Sequence, residues 1–460
     1  MAKKKRSLHM DTVTLARAFF GSSLAFHIIF ATLGVGLSLM IFISEILYHW
    51  KKDSDYAIMA KRWTKAFAIL LGVAIPTGTI VGVQISLLWP GFAKIVGQVI
   101  SVPFQIEIFA FFLEALFMSI YVYAADKLPP FMRLISLFFV MLGATASAVL
   151  ITSANTWMNT PAGFSMNPDG SVFNVDPWKA FFNPSFGTSA FHVVITAYAT
   201  GAAVIASIAG FKLLKKNLST REIAYHKKGL LLGLVVTFIT GATMWLSGHE
   251  SAIALHKHSP EKLASAEALF ETTSHAPLSI GGVVDPNTLE LNYALEIPNM
   301  LSLLVGLDPS TVVKGLKEFP QETWPPFYTH TLFNLMVGTA AFTFAVAAIA
   351  LLYWYFVYRK KGTELPKWLL WGTAACGPIM MLGIEFGWIF SCSGRQPWTI
   401  YGMQRTVDAS TRADFVGPLF VLFIILYIGL AILTVIVLRT FFRRHPLKND
   451  LQHQGGDSHA

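Results

Sequence analysis

IEIFAFFLEALFMSIYVYAA, residues 106–125, carries charge at only two positions, Glu107 and Glu114. The run is long enough to cross the roughly 30 Å of a bilayer's hydrocarbon core as a helix. No open sheet could do so, because lipid offers backbone N–H and C=O groups no partner. Seven positions turn a helix through about 700°, roughly two full turns, so both carboxyls face the same way about 10 Å apart along the axis. An ionised side chain at that depth costs about 3 kcal/mol even on lenient scales. The stretch therefore predicts a membrane helix with one acidic face, suited to a proton path, an ion site or a cofactor pocket. Pairing of the carboxyls with a neighbouring helix is the plain structural alternative.

The same pattern extends along the chain. Of 460 residues, 54% are hydrophobic and 13% charged, against roughly 25% charged in soluble domains. Apolar runs near residues 16–48, 60–88, 100–125, 131–156, 187–212, 229–247, 327–357, 368–391 and 414–440 predict an all-α, polytopic membrane helical bundle of about nine transmembrane helices. Basic residues gather in alternate connections: Lys51 and Lys52; Lys127 and Arg133; Lys215, Lys216, Arg221, Lys227 and Lys228; Arg359, Lys360, Lys361 and Lys367; Arg443, Arg444 and Lys448. These connections and the C-terminus are expected in the cytoplasm, and an odd number of spans then puts the N-terminus outside. The KKKR run at residues 3–6 points the other way, but five basic segments outweigh it. The first span is too long for a signal sequence and follows no small-residue cleavage site, so it is expected to be retained. Cytoplasmic loops facing anionic lipid account for the net charge of +9, and nothing indicates nucleic acid.

Only two cysteines occur, Cys376 and Cys392, both on the eighth span. They lie about 24 Å apart along the helix and cannot form a bridge with each other. The absence of CxxCH and CxxC excludes covalently attached c-type haem and gives no sign of a cysteine zinc site.

Four parts follow from the pattern: spans one to six over 1–247, a polar outer segment over 248–326, spans seven to nine over 327–442, and a cytoplasmic polar tail over 443–460. In the outer segment, SPEKLASAEALFE (259–271) predicts a helix capped by Ser259 with Pro260 at its first position. DPN at 285–287 predicts a turn, and 299–319 predicts amphipathic pieces on the surface. No internal repeat is visible, which weighs against an inverted-repeat transporter.

Of thirteen histidines only His27 and His192 lie well inside apolar spans. Met336 stands about three turns into the seventh span, and Glu385 deep in the eighth. Counted from the outer helix ends, His27, Glu107, His192, Met336 and Glu385 fall in the outer half of the bundle, with Glu114 nearer its centre. Imidazole, thioether and carboxylate in one layer suit haem iron better than a hard cation. Two histidines cannot supply a bis-histidine cytochrome b or a haem-copper centre, so any haem must also use other ligands.

GIEFGWIFSCSGRQPW (383–398) resembles the haem-bearing subunit I of cytochrome bd quinol oxidases, with GRQPW after a glutamate-bearing span as a specific motif. The similarity covers nearly the whole chain: FHIIFATLGVGLSL (26–39), the paired carboxylates of the third span, SANTWMNTPAGF (153–164), AFHVVITAYATGA (190–202), and an outer segment similar to the short form of the family's quinol-binding loop. The resemblance implies that His192 and Met336 ligate a low-spin haem b, while His27 and Glu385 each ligate one of two high-spin haems, a haem b and a haem d, or a third haem b in its place. It implies that Glu107 and Glu114 serve haem charge balance and proton delivery, and that Lys262 and Glu267 act in quinol oxidation. Ser147 resembles a proton-path hydroxyl. Arg395 is either a partner for haem propionates or a structural loop arginine. Two departures stand out: Asn334 where an arginine is expected, and Met381 where a tryptophan is expected.

The implied activity is oxidation of quinol at the outer face and reduction of O2 to water with cytoplasmic protons, generating a proton-motive force without pumping. The implied setting is the bacterial cytoplasmic membrane, in complex with a second polytopic subunit and in some members a single-span accessory subunit. A secondary transporter or ion channel also explains intramembrane carboxylates, and an electron-transfer subunit without oxygen chemistry is a third reading.

Overall fold

The computed structural model describes residues 11–456, so the KKKR run at 3–6 lies outside the described residues. Among the described residues, nine helices are long and apolar enough to cross a membrane: Thr12–Lys51, Ser54–Leu88, Ser101–Ala124, Pro130–Asn159, Phe186–Leu213, Thr220–His258, Tyr328–Lys361, Lys367–Ser393 and Val416–Gln452. They correspond in order to the nine apolar runs, and several outgrow them because a helix does not stop where hydrophobicity does. The sixth starts at a capping box in which Ser219 and Glu222 satisfy each other's backbone N–H groups, well before its apolar stretch. It runs to His258, so its last turns lie within the polar segment 248–326 rather than before it. Pro76 and Pro378 sit inside the second and eighth spans without ending them, as neighbouring helices allow.

Ionic contacts tie the basic connections together at one end of the bundle. Asp53 and Asp55 at the start of the second span receive Lys228 at 2.5 Å and 2.6 Å, and Asp55 also receives Arg221. Lys227 reaches Glu364, and Arg62 reaches Asp450 and the His445 carbonyl. Buried Glu45 accepts from Tyr121 at 2.9 Å, with the Arg133 guanidinium at 3.2 Å. We refer to this as the basic end.

At the opposite, loop end, the short helix Pro90–Val99 was not marked by any apolar run. Its buried Phe92, Ile95, Val96 and Val99 follow the spacing of one helical face, and Pro90 occupies its first turn. That face packs on Leu88, Trp157, Ile400 and Ala409, closing the bundle over the second, fourth and ninth spans. Among the described residues, four small antiparallel pairs of strands complete this end. The DPN turn forms as expected, with the Asn287 N–H donating to Asp285 at 2.8 Å between the strands Val283–Asp285 and Glu290–Asn292.

Glycine sets a close helix crossing. A Cβ added at Gly201 would lie 2.3 Å from the Gly36 carbonyl carbon, and one at Gly36 would lie 2.4 Å from the Ala197 carbonyl oxygen. The first and fifth spans, which carry His27 and His192, therefore touch backbone to backbone. The expected outcome for Gly201→Val is a loss of about 1–3 kcal/mol from overpacking, seen as a lowered thermal midpoint of the purified protein. Gly72→Ala, where nothing lies within 4 Å, serves as the control, and equal midpoints for the two variants contradict this crossing.

Candidate functional site

The two intramembrane histidines are held alike. His27 Nδ1 lies 3.0 Å from Thr77 Oγ1, and the Thr77 hydroxyl donates to the Val73 carbonyl at 2.8 Å. His192 Nδ1 lies 2.8 Å from Ser247 Oγ, whose hydroxyl donates to the Met244 carbonyl at 3.0 Å. A hydroxyl has one hydrogen. Spent on a carbonyl, it leaves the oxygen only as an acceptor, so in both cases Nδ1–H donates and Nε2 keeps its lone pair. An imidazole in this tautomer, fixed from behind by a neighbouring helix, is the form that ligates a metal.

His192 and Met336 occupy the fifth and seventh spans, and each of these packs against both the sixth and the eighth. Deeper in this four-helix group, Ala199, Ala203, Met244, Cys376 and Met380 close the packing. The Met336 thioether rests against the eighth span at Gly387, where an added Cβ would lie 3.0 Å from Sδ. Glu385, two positions away, has a buried Oε1 with no hydrogen-bond partner among the described residues. A buried carboxylate oxygen without a donor is costly, and a cation or metal would relieve it. Both cysteines are free thiols, as their separation requires.

The acidic face of the third span turns toward the fourth. Ser147 Oγ donates to Glu107 Oε1 at 3.0 Å. Glu114 is 4% exposed, with its backbone and Cβ against Gly143, where an added Cβ would meet it at 2.9 Å. Helix pairing therefore accounts for Glu107 in part, while Glu114 accepts no hydrogen bond from a described residue.

The polar segment 248–326 places Lys262 and Glu267 on the helix Pro260–Glu267, whose residues from Glu261 onward are all buried. A solvated surface helix is ruled out. The helix is shorter than its sequence signals, ending at left-handed Ala268, and Ser259 makes no side-chain cap. The two candidates diverge, as their spacing requires. Lys262 Nζ donates to Asn159 Oδ1 at 3.2 Å and to the Ser391 carbonyl at 3.0 Å, at the ends of the fourth and eighth spans. Burial, helped by the nearby Arg395 charge, pushes the Lys262 ammonium down to about 7. Glu267 faces the strand Leu278–Ile280. Burial pushes its carboxyl up to about 8 against the opposing effect of the Ser279 N–H, and its Oε2 has no partner among the described residues.

Arg395 is 6% exposed, with Nε and Nη1 both buried and unpartnered among the described residues. Burial lowers its pKa from the usual arginine value. A structural loop arginine would have its donors satisfied by carbonyls. Among the described residues these donors meet no acceptor, which fits an anionic group such as a carboxylate supplied from outside the chain.

Several residues escape sequence reasoning. Thr77 and Ser247 look like ordinary hydroxyls in apolar helices, and only tertiary contact reveals them behind the histidines. Glu261 is a buried carboxyl raised by burial, accepting from Thr323 at 2.6 Å and Tyr401 at 3.1 Å. Its position beside Lys262 was the available signal. Asn334 accepts the Gly281 N–H at 2.8 Å, so the residue found in place of the expected arginine is committed to the polar segment 248–326.

The family profile described as cytochrome bd terminal oxidase subunit I matches residues 15–446. A Bacillus subtilis (strain 168) protein, provisionally described as cytochrome bd menaquinol oxidase subunit I, is 53% identical over 96% of this chain and 99% of its own length. A cytochrome bd ubiquinol oxidase subunit 1 of the same organism is 31% identical, covering 96% and 95%. Among solved structures, the bd oxidase from Geobacillus thermodenitrificans aligns with a TM-score of 0.88 at 42% identity, covering 95% of this chain and 99% of that one.

Ser247→Ala removes the acceptor behind His192. Loss of such a second-shell contact typically weakens metal-group binding about 10–100-fold. The expected outcome is a fall in haem retained per protein after detergent washing, read by pyridine haemochrome assay, with Ser251→Ala as a control on the same helix. Equal retention contradicts the role given to Ser247.

Proposed function

The chain belongs to the cytochrome bd terminal oxidase subunit I family, and from that premise we propose that it is the haem-bearing subunit of a membrane quinol oxidase. It takes electrons from quinol at the loop end and delivers them to O2, which is reduced to water. The observation that carries this reading is chemical. Two imidazoles are fixed with Nε2 free, a thioether stands against the next helix, and a buried carboxylate oxygen lacks a donor, all in the half of the bundle nearer the loop end. A transporter or channel gives these groups no common task.

His192 and Met336 are the pair for a low-spin haem b. His27 and Glu385 serve the two high-spin haems, one b and one d, or b in place of d, with Arg395 holding a propionate. The haems, when bound, pass single electrons from a two-electron donor to a four-electron acceptor and hold O2 during its reduction.

Quinol oxidation releases two protons, and the outer segment offers the groups to take them. Glu267, near 8, is mostly neutral at pH 7 and becomes a proton acceptor as the pH rises. Lys262, near 7, divides between ammonium and amine at neutral pH, so it can hold a quinol oxygen in either form. Protons consumed at oxygen come from the other side. The basic end is assigned to the cytoplasm by its lysines and arginines. Glu114, then Glu107 with Ser147, lines the face along which protons approach the oxygen site. Taking protons from one side and releasing them on the other separates charge without a pump. The subunit II implied by the family, and an accessory subunit where present, pack on the apolar faces, among them that of the ninth span with exposed Val421, Ile425 and Ile432.

Two outcomes test this reading in the assembled oxidase. With a soluble quinol and an oxygen electrode, kcat/KM rises with pH through about 8, where Glu267 deprotonates. In Glu267→Gln that limb disappears and turnover falls about 100-fold or more, with the haem spectrum intact. A wild-type profile in the variant removes Glu267 from the site. Glu114→Gln slows oxygen reduction at unchanged haem content, and a wild-type rate there removes it from the proton path.

A further inference from the structure

The outer end of the seventh span holds an arrangement that neither the ligand set nor the proton path uses. His330 is 1% exposed and both of its ring nitrogens face carbonyl oxygens of the outer segment. Nδ1 lies 2.7 Å from the Ala266 oxygen and Nε2 lies 2.8 Å from the Gly281 oxygen. Carbonyl oxygens only accept, so a neutral ring donates to one of the two and only an imidazolium to both at once. One turn further along the same helix, Asn334 Oδ1 accepts the Gly281 N–H at 2.8 Å, while its Nδ2 donates to the His330 carbonyl at 3.1 Å. Gly281 thus faces side chains of one helix through both its N–H, held by Asn334, and its C=O, beside His330. Gly281 and Gly282 have φ of +70° and +92°, so this turn depends on glycine.

What the grip holds matters more than the grip. Ala266 immediately precedes Glu267, and Ser279, whose N–H reaches the Glu267 carboxyl, lies two residues before Gly281. Both sides of Glu267, its own backbone and the strand it faces, therefore meet the His330–Asn334 pair. Met336 stands two positions beyond Asn334 on the same helix.

We propose that His330 and Asn334 are positioning residues for quinol oxidation, clamping the helix of Glu267 and the Gly281 turn onto the span that carries Met336. The proposal rests on the quinol-oxidase reading and adds to it two residues that touch neither iron nor the reacting oxygens. Without the clamp the Glu267 carboxyl has no fixed distance from the seventh span, and quinol binds to a site that must first be ordered. Such ordering appears in KM before it appears in the chemistry.

The test compares two activities of each assembled oxidase: O2 uptake driven by a soluble quinol, and O2 uptake driven by an artificial electron donor, tetramethyl-p-phenylenediamine kept reduced by ascorbate. His330→Phe keeps an aromatic ring and removes both ring nitrogens. Asn334→Leu removes the acceptor for Gly281. For both, quinol KM is expected to rise about 10-fold and the ratio of quinol-driven to donor-driven rate to fall by a similar factor, with His330→Gln restoring part of the loss through its amide N–H. An unchanged KM in both variants overturns the clamp. So does a parallel fall of both activities together with haem content, which marks a merely structural role. If the wild-type oxidase itself shows no quinol-driven uptake, the functional reading fails instead, and the two failures are told apart by that single control.

Discussion

A bilayer core donates and accepts no hydrogen bonds, and the arrangement of this chain follows from that constraint. It forces the backbone into helices, and it makes each intramembrane polar side chain require a partner from another helix or from a bound group. Glu107 meets Ser147, His27 meets Thr77, and His192 meets Ser247. Among the groups left over are several with ligating chemistry, two imidazole Nε2 atoms, a thioether and an oxygen of Glu385, beside others without it such as the Gln84 amide. Where partners are supplied on one side of a group and withheld on the other, the group is aimed.

The two ends of the bundle divide the remaining work. At the basic end, charged residues pair among themselves across connections far apart in sequence, as Asp55 does with Arg221 and Lys228. Those contacts fix the order of the helices. At the loop end, charged residues are buried without pairing: Lys262 among carbonyl and amide oxygens, Arg395 with two orphaned nitrogens, Glu267 with an orphaned oxygen. Unpaired buried ions shift their pKa values toward neutrality, and at such a site protons can be exchanged near pH 7. Among the described residues, buried ion pairs thus gather at the basic end, while the loop end pairs its ions only where they are exposed, as in Lys317 with Glu271.

The spans were legible because hydrophobicity over about twenty residues is a strong, local signal, and the basic connections read clearly for the same reason. Helix ends were less so. The capping box at Ser219 and Glu222 was present in the sequence, yet it lies outside the apolar run that drew attention, and Pro90–Val99 has a helical face too short to register against its neighbours. In the site, the residues that stood out were polar ones at the wrong depth, such as Glu114 and His192. Thr77, Ser247 and His330 did not stand out, because hydroxyls in apolar helices and a histidine at a helix end are common, and their meaning comes from partners 50 or more residues away. The arginine expected at 334 gave way to an asparagine whose use is visible only with Gly281 beside it.

The central claim is that these aimed groups hold iron porphyrins. It is tested most directly by the reduced-minus-oxidised optical spectrum of the purified two-subunit complex, with haem quantified per protein. The account predicts a low-spin b-type α-band together with high-spin haem signals, including a red-shifted chlorin band if haem d occupies the oxygen site, and diminished low-spin absorbance in His192→Ala. A complex that contains both subunits and shows no haem absorbance contradicts it.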